Sequence, residues 1–223
     1  MGKVIMSGIV PGLTNPVSGT PLSTYTEGSI IKINESGSPV EFYVAKHDYE
    51  TGLNGTGRTL VVRKDCYDQR AWNSTNVNAY ATSSIDSWLN GDYKGLLSVG
   101  IQAQIGTTKF YYTPGNGNNT VGTLERVIFL LSATELGGTN SPVNTEGTTL
   151  FITSLLQIAH MNGSAVVQWT RSPNLDYTNT VVYFNTNGSD GSDRYNCTFA
   201  YGSRPCFTLP STIEIDANGQ VIE

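Results

Sequence analysis

Charge is what this chain has least of. Asp, Glu, Lys and Arg together make 14% of its 223 residues, where about 25% is ordinary for a soluble domain. The net charge is -5, and all of it lies beyond Lys109, where four arginines stand against nine acids. A phosphate-binding surface needs Lys and Arg gathered on one face, so nucleic acid is not an expected partner. Long apolar runs are also missing. None approaches the roughly 20 residues that span a bilayer as a helix, and no membrane insertion is expected. Met1 to Val10 carries one basic residue, Lys3, and an apolar patch broken by Ser7 and Gly8, which makes a poor signal peptide.

Residues that carry chemistry are sparse. The three cysteines, Cys66, Cys197 and Cys206, have no metal-ligand spacing and leave at least one thiol unpaired. Cys197 and Cys206 could meet across a hairpin, although buried free thiols are the more ordinary outcome. The two histidines, His47 and His160, belong to no nucleophile or metal motif, and no phosphate loop or Gly-x-Ser-x-Gly elbow occurs. Carboxylate pairs such as Asp65 with Asp68, or Glu214 with Asp216, are too common to imply acid–base work. The sequence therefore assigns no catalytic residue, metal or cofactor, and predicts a protein that is not an enzyme.

What the chain does have is apolar content for one sizeable core, 38% of residues, and 24 glycines to punctuate it. Residues 1–25, with Pro11, Pro16 and Pro21 among Gly, Ser and Thr, predict an extended arm; it either attaches the domain to something larger or is a disordered terminus. The domain proper is expected over 26–214, with a tail at 215–223 containing the tight-turn pair Asn218-Gly219. Short β-branched and aromatic runs predict strands at Ser29–Ile33, Val40–Lys46, Thr59–Lys64, Val166–Thr170, Val181–Asn185, Cys206–Leu209 and Thr212–Ile215. Val127–Leu131 reads as a buried strand. A helix is expected from Ser83 or Ser84 to a stop at Asn90-Gly91, with Ile85, Trp88 and Leu89 on one face. Thr149–His160 is a weaker helix. Few helices beside many short strands define an α+β class.

Two rigid phrases, Trp169-Thr170-Arg171-Ser172-Pro173 and Gly202-Ser203-Arg204-Pro205, bracket a segment rich in Asn, Tyr, Ser, Thr and Asp. Trp169 could be a sugar platform and Arg171 an anion clamp. The stronger reading puts Trp169 in the core and has Arg171 and Arg204 brace backbone carbonyls with their rigid donor forks. Within the segment, Asn185, Asn187, Asp190 and Asp193 form an oxygen-rich run that could hold calcium, but it lacks the spacing of a calcium loop and reads more simply as a turn.

These phrases resemble the C-terminal half of an uncharacterised domain family, regarded as C-type lectin-like, of gut bacteria and their phages: Ile158 to Ala165, Trp169 to Pro173, Gly202 to Pro205 and Leu209 to Ser211. Arg63-Lys64-Asp65, Tyr80-Ala81, Trp88-Leu89-Asn90, Phe129 to Ser132 with Glu135, and the opening Met6 to Pro11 are similar too. The resemblance implies a C-type lectin-like fold with small mixed or antiparallel sheets, two short helices and long loops. It also implies a tail- or fibre-type phage virion protein that grips a host-surface glycan or protein. Tyr offers rigid contact area and Asn offers adaptable hydrogen bonding, so the candidate ligand-binding residues are Asn174, Asp176, Tyr177, Asn179, Tyr183, Asn185, Asn187, Tyr195, Asn196 and Tyr201. Other virion proteins, through the N-terminal arm, and further copies of the chain in a homo-oligomer are the expected partners. The alternative is a decoration or fibre subunit with no receptor contact.

Overall fold

In a computed structural model, which describes residues 19–192 and 196–223, alternating apolar residues build a four-stranded antiparallel sheet. Its order is Cys206–Pro210, Arg58–Arg63, Ser38–His47, Ile30–Glu35. Ile31, Ile33, Phe42, Val44, Leu60 and Val62 are buried. Ser36 and Gly37 both have positive φ, 54° and 78°, and make the two-residue turn whose twist suits a hairpin. A second sheet of five strands runs Asp190–Gly191, Val181–Phe184, Gln168–Pro173, Ala200–Ser203, Asp68–Ala71. It is mixed, because Gln168–Pro173 lies parallel to Ala200–Ser203. The protein is thus α+β, with small sheets and short helical pieces.

The two sheets share a bent ribbon. Arg58–Arg63 pairs with Cys206–Pro210 in the first sheet, and their continuations, Asp68–Ala71 and Ala200–Ser203, pair in the second. The bend falls at Arg204-Pro205. The Arg204 guanidinium, buried without a carboxylate partner among the described residues, donates to the carbonyls of Arg63 (2.8 Å), Lys64 (2.6 Å) and Leu156 (2.8 Å). Its fork therefore supplies the hydrogen bonds that the interrupted ladders lose at the corner.

Both expected domain boundaries fall inside the folded body. Leu22 is fully buried and its N–H bonds Ile213 O, while Thr20–Pro21 pairs with Glu214–Ile215. Residues 20–25 thus belong to the domain, and residues 1–18 of the expected arm lie outside the described residues. The expected tail is docked as well: Val221 is buried and its N–H bonds Lys32 O. Asn218-Gly219 makes the expected turn, with Gly219 at φ 79°.

The helical pieces are more numerous than the two expected: Thr51–Asn54, Ser84–Trp88, Val99–Gln104 and Thr153–Leu156 are among them. Ser83 caps the second, its Oγ accepting from Asp86 N at 3.2 Å. Asn90-Gly91 does not stop that helix. The chain widens into a π-type turn over Leu89–Tyr93 and continues through Lys94–Leu96, because Asn90 turns inward and bonds Asp86 O, Ile128 O and the N–H groups of Val127 and Ile128. Ile128 to Leu131 is buried but is not a strand. Side chains of Asn90, Tyr80 and Arg171 take up backbone groups there that a neighbouring strand would otherwise satisfy.

Candidate functional site

The phrase Trp169 to Pro173 lies wholly inside. Trp169 is 2% exposed and its indole N–H donates to Arg70 O at 3.0 Å. Arg171 is completely buried and donates to the carbonyls of Leu130 (2.9 Å), Tyr111 (3.0 and 3.1 Å) and Glu146 (3.3 Å) and to Glu135 Oε2 (2.7 Å). The rings of Phe110 and Phe129 lie 4.6 and 5.9 Å from its guanidinium carbon. The second oxygen of Glu135 accepts from the Tyr49 hydroxyl. Burial works against the Arg171 charge, but Glu135 and Tyr49 outweigh it and hold the guanidinium above its ordinary pKa. Glu146, also buried, accepts from Thr113 N and from the Ser172 hydroxyl, and burial raises its carboxyl above the usual range. This centre is the structural brace expected for Arg171.

The bracketed segment divides between core and surface. Tyr183 is a core residue: it is 2% exposed, lies edge-on to Trp169 at 6.5 Å, and its hydroxyl would sit 2.7 Å from a Cβ on Gly191. Its place in the Asn- and Tyr-rich segment suggested a surface tyrosine, but all four residues of the Val181–Phe184 strand are buried. Asn174 is buried as well and acts on the backbone. Its Oδ1 accepts from Asp176 N (2.7 Å) and Tyr177 N (3.2 Å), and its Nδ2 reaches Ser192. Asp176 and Tyr177 are exposed, the latter by 59%, and Asn179 is half-buried. Asn187 is exposed and caps its own turn through Ser189, with Asn185 beside it. Asn196 caps another turn at Thr198. Tyr195 lies outside the described residues.

Asn78 fixes the Tyr177 loop, and the sequence gives no sign of it. Fully buried, it donates from Nδ2 to the carbonyls of Asn174 (3.1 Å), Tyr177 (3.0 Å) and Thr180 (2.9 Å) and accepts Asn116 N at 2.7 Å. Phe199 is also absent from the sequence-predicted set. It is 46% exposed and stacks 6.3 Å from Tyr201, which meets Trp169 at 4.9 Å. An aromatic ladder thus runs from the buried indole to an exposed ring. Asp190 is occupied by the N–H groups of Thr139 and Asn140 and by the Asn140 amide, so it serves as a loop anchor; Asp193 lies outside the described residues. All three cysteines are free and buried, and Cys197 is not bonded to Cys206.

The site is therefore a loop-and-aromatic face carried by the five-stranded sheet of a mixed α+β domain. The chain belongs to the family described as Domain of unknown function (DUF6273), whose model matches residues 56–211. That stretch begins just before Arg58–Arg63 and ends just after Cys206–Pro210, so it contains the bent ribbon and all of the Arg171 centre except Tyr49. No curated protein and no solved structure matches the chain.

Proposed function

We propose that this chain is a phage virion protein of tail or fibre type, in which a C-type lectin-like domain displays the 174–201 face to a host-surface glycan or protein. The carrying observation is the Tyr177 loop: an exposed aromatic on a backbone held by two buried amides, Asn78 and Asn174. A rigid aromatic with low ordering cost, flanked by the adaptable groups of Asp176, Asn179 and Asn196, suits recognition. Phe199 and Tyr201 extend the face. Single contacts of this kind are weak, so grip comes from many copies on one particle.

Replacing Tyr177 and Phe199 together by alanine is expected to abolish adsorption of protein-coated beads or virions to host cells. The melting temperature should fall by no more than a few degrees, because Tyr177 is exposed and Phe199 is half-exposed with one aromatic stack on Tyr201. Unchanged adsorption would overturn the proposal. One observation favours the second reading, a structural fibre or decoration subunit: Phe151, Leu155 and Ile158 are exposed on a single segment, as in a subunit contact. Under that reading the Tyr177/Phe199 variant adsorbs normally, and a charge at Phe151 dissociates the assembly.

A further inference from the structure

A groove of about 360 Å³ lies away from the Tyr183 and Trp169 stack and is lined by Glu50, Tyr111, Val121, Thr145, Gly147 and Thr148. Its volume falls at the small end of the roughly 300–1,000 Å³ of ligand sites. Its floor is built. Gly147 has φ 95°, and a Cβ there would stand 3.0 Å from Glu50 Oε1 and 3.3 Å from Glu135 Oε1, so bare backbone separates the groove from the buried Arg171 centre. Glu50 is held over this floor in a left-handed conformation, φ 48°, a strain of a kind that gathers at ligand sites. The strain is fixed from within, because neighbouring Tyr49 is buried with its hydroxyl on Glu135. One Glu50 oxygen accepts Thr148 N at 3.1 Å; the other accepts no hydrogen bond among the described residues.

We infer that this groove binds a neutral saccharide residue. The free Glu50 oxygen can accept from adjacent sugar hydroxyls in strong charge-assisted bonds. Tyr111 offers a half-buried ring for the C–H face, and Val121 an apolar wall. Thr145 and Thr148 contribute hydroxyls that donate or accept. Among the described residues no Lys, Arg or His lines the groove, and Glu50 repels anions, so acidic sugars are disfavoured. The rim is tied to the adhesive loop: Asn144 Nδ2 donates to Asn119 O at 2.7 Å, and Asn119 Nδ2 to Leu175 O at 3.2 Å. The groove is nevertheless a separate site, and the inference goes beyond the 174–201 face.

The test is a titration of the ¹⁵N-labelled full chain with methyl glycosides of glucose, galactose, mannose and N-acetylglucosamine. Sialic acid and N-acetyl-lysine amide serve as charged probes. A ligand of sugar size binds in the millimolar range. At least one neutral glycoside should saturate, shifting amides of Tyr111, Thr145, Gly147 and Thr148. Glu50→Gln should weaken it by about tenfold or more, the cost of one charge-assisted bond. Val121→Trp, at an exposed position that folding tolerates, should abolish it, while Val99→Ser, at an 84% exposed position, leaves it unchanged. No saturation by any neutral glycoside, binding that survives Val121→Trp, or saturation by N-acetyl-lysine amide in place of the sugars overturns the inference. Adsorption by a protein that saturates with no sugar would sink this site and leave the adhesive face standing; saturation without adsorption would do the reverse.

Discussion

Arg171 shows how far one side chain can be read from sequence. An arginine set between Trp169-Thr170 and Ser172-Pro173 on a strand points to a planar fork bracing carbonyls, and three carbonyls with one carboxylate receive it. What the residue pattern alone could not supply is the partner set. Glu135, Tyr49 and Glu146 lie far away in sequence and look like ordinary surface residues until the fold buries them. The arrangement makes a sharp prediction. Arg171→Met leaves Glu135 buried with no counter-charge, which costs about 3–5 kcal/mol, a large part of the roughly 5–15 kcal/mol available to a domain. Arg171→Lys keeps the charge but loses the fork and should fall between wild type and Met in urea denaturation. Equal stability of all three proteins would mean that the centre is not a brace. Tyr183 teaches the opposite lesson: it lies in a segment rich in Asn, Tyr and Ser, yet Trp169 and Gly191 enclose it.

At the scale of elements, strands were legible where apolar residues alternate, as in Ile30–Glu35 and Ser38–His47, or form a short β-branched run, as in Arg58–Arg63. Segments whose backbone is satisfied by distant side chains were not. Val127–Leu131 has the composition of a strand, but only Phe129 bridges a neighbouring strand, at Cys206, and the side chains of Asn90, Tyr80 and Arg171 take up backbone groups on either side of it. Thr149–His160 yields only the single turn Thr153–Leu156, because its apolar residues divide between core and surface: Leu150, Ile152 and Leu156 are buried, while Phe151, Leu155 and Ile158 are exposed. The Tyr177 loop is a further case of the same principle. Asn78→Ala removes the shared partner of three carbonyls and one N–H, a loss of about 1–3 kcal/mol. Hydrogen exchange should show it locally: the amides of Asn78, Thr180 and Tyr177 lose protection by more than the global change, while the ladder between Arg58–Arg63 and Cys206–Pro210 loses only the global amount. Uniform loss across both regions would show that Asn78 supports the whole core rather than this loop.

Across the whole molecule the question is whether two sheets joined by one ribbon open together or apart. The three free thiols answer it because each reports a different place. Cys66 packs beneath Gly202 at the ribbon's bend, Cys206 donates to Phe129 O in the four-stranded sheet, and Cys197 donates to Asn179 O beneath the loops of the 174–201 face. Burial pushes Cys66 up to about 11 and Cys197 up to about 12, and raises Cys206 well above an ordinary thiol. The thiolate is the reactive form, so at pH 8 each native thiol is both enclosed and protonated. Iodoacetamide should therefore modify none of them in the native protein and all of them in denaturant. Followed by mass spectrometry through the urea transition, the three should react along one curve, since a single hydrophobic cluster joins both sheets and Arg204 ties the bend to Leu156. Cys197 reacting well below the concentration that exposes Cys66 and Cys206 would place the loops of the 174–201 face in a separate, weaker cooperative unit. The Tyr177 face would then be a surface that forms in full only on contact, and its rigidity could no longer carry the functional argument.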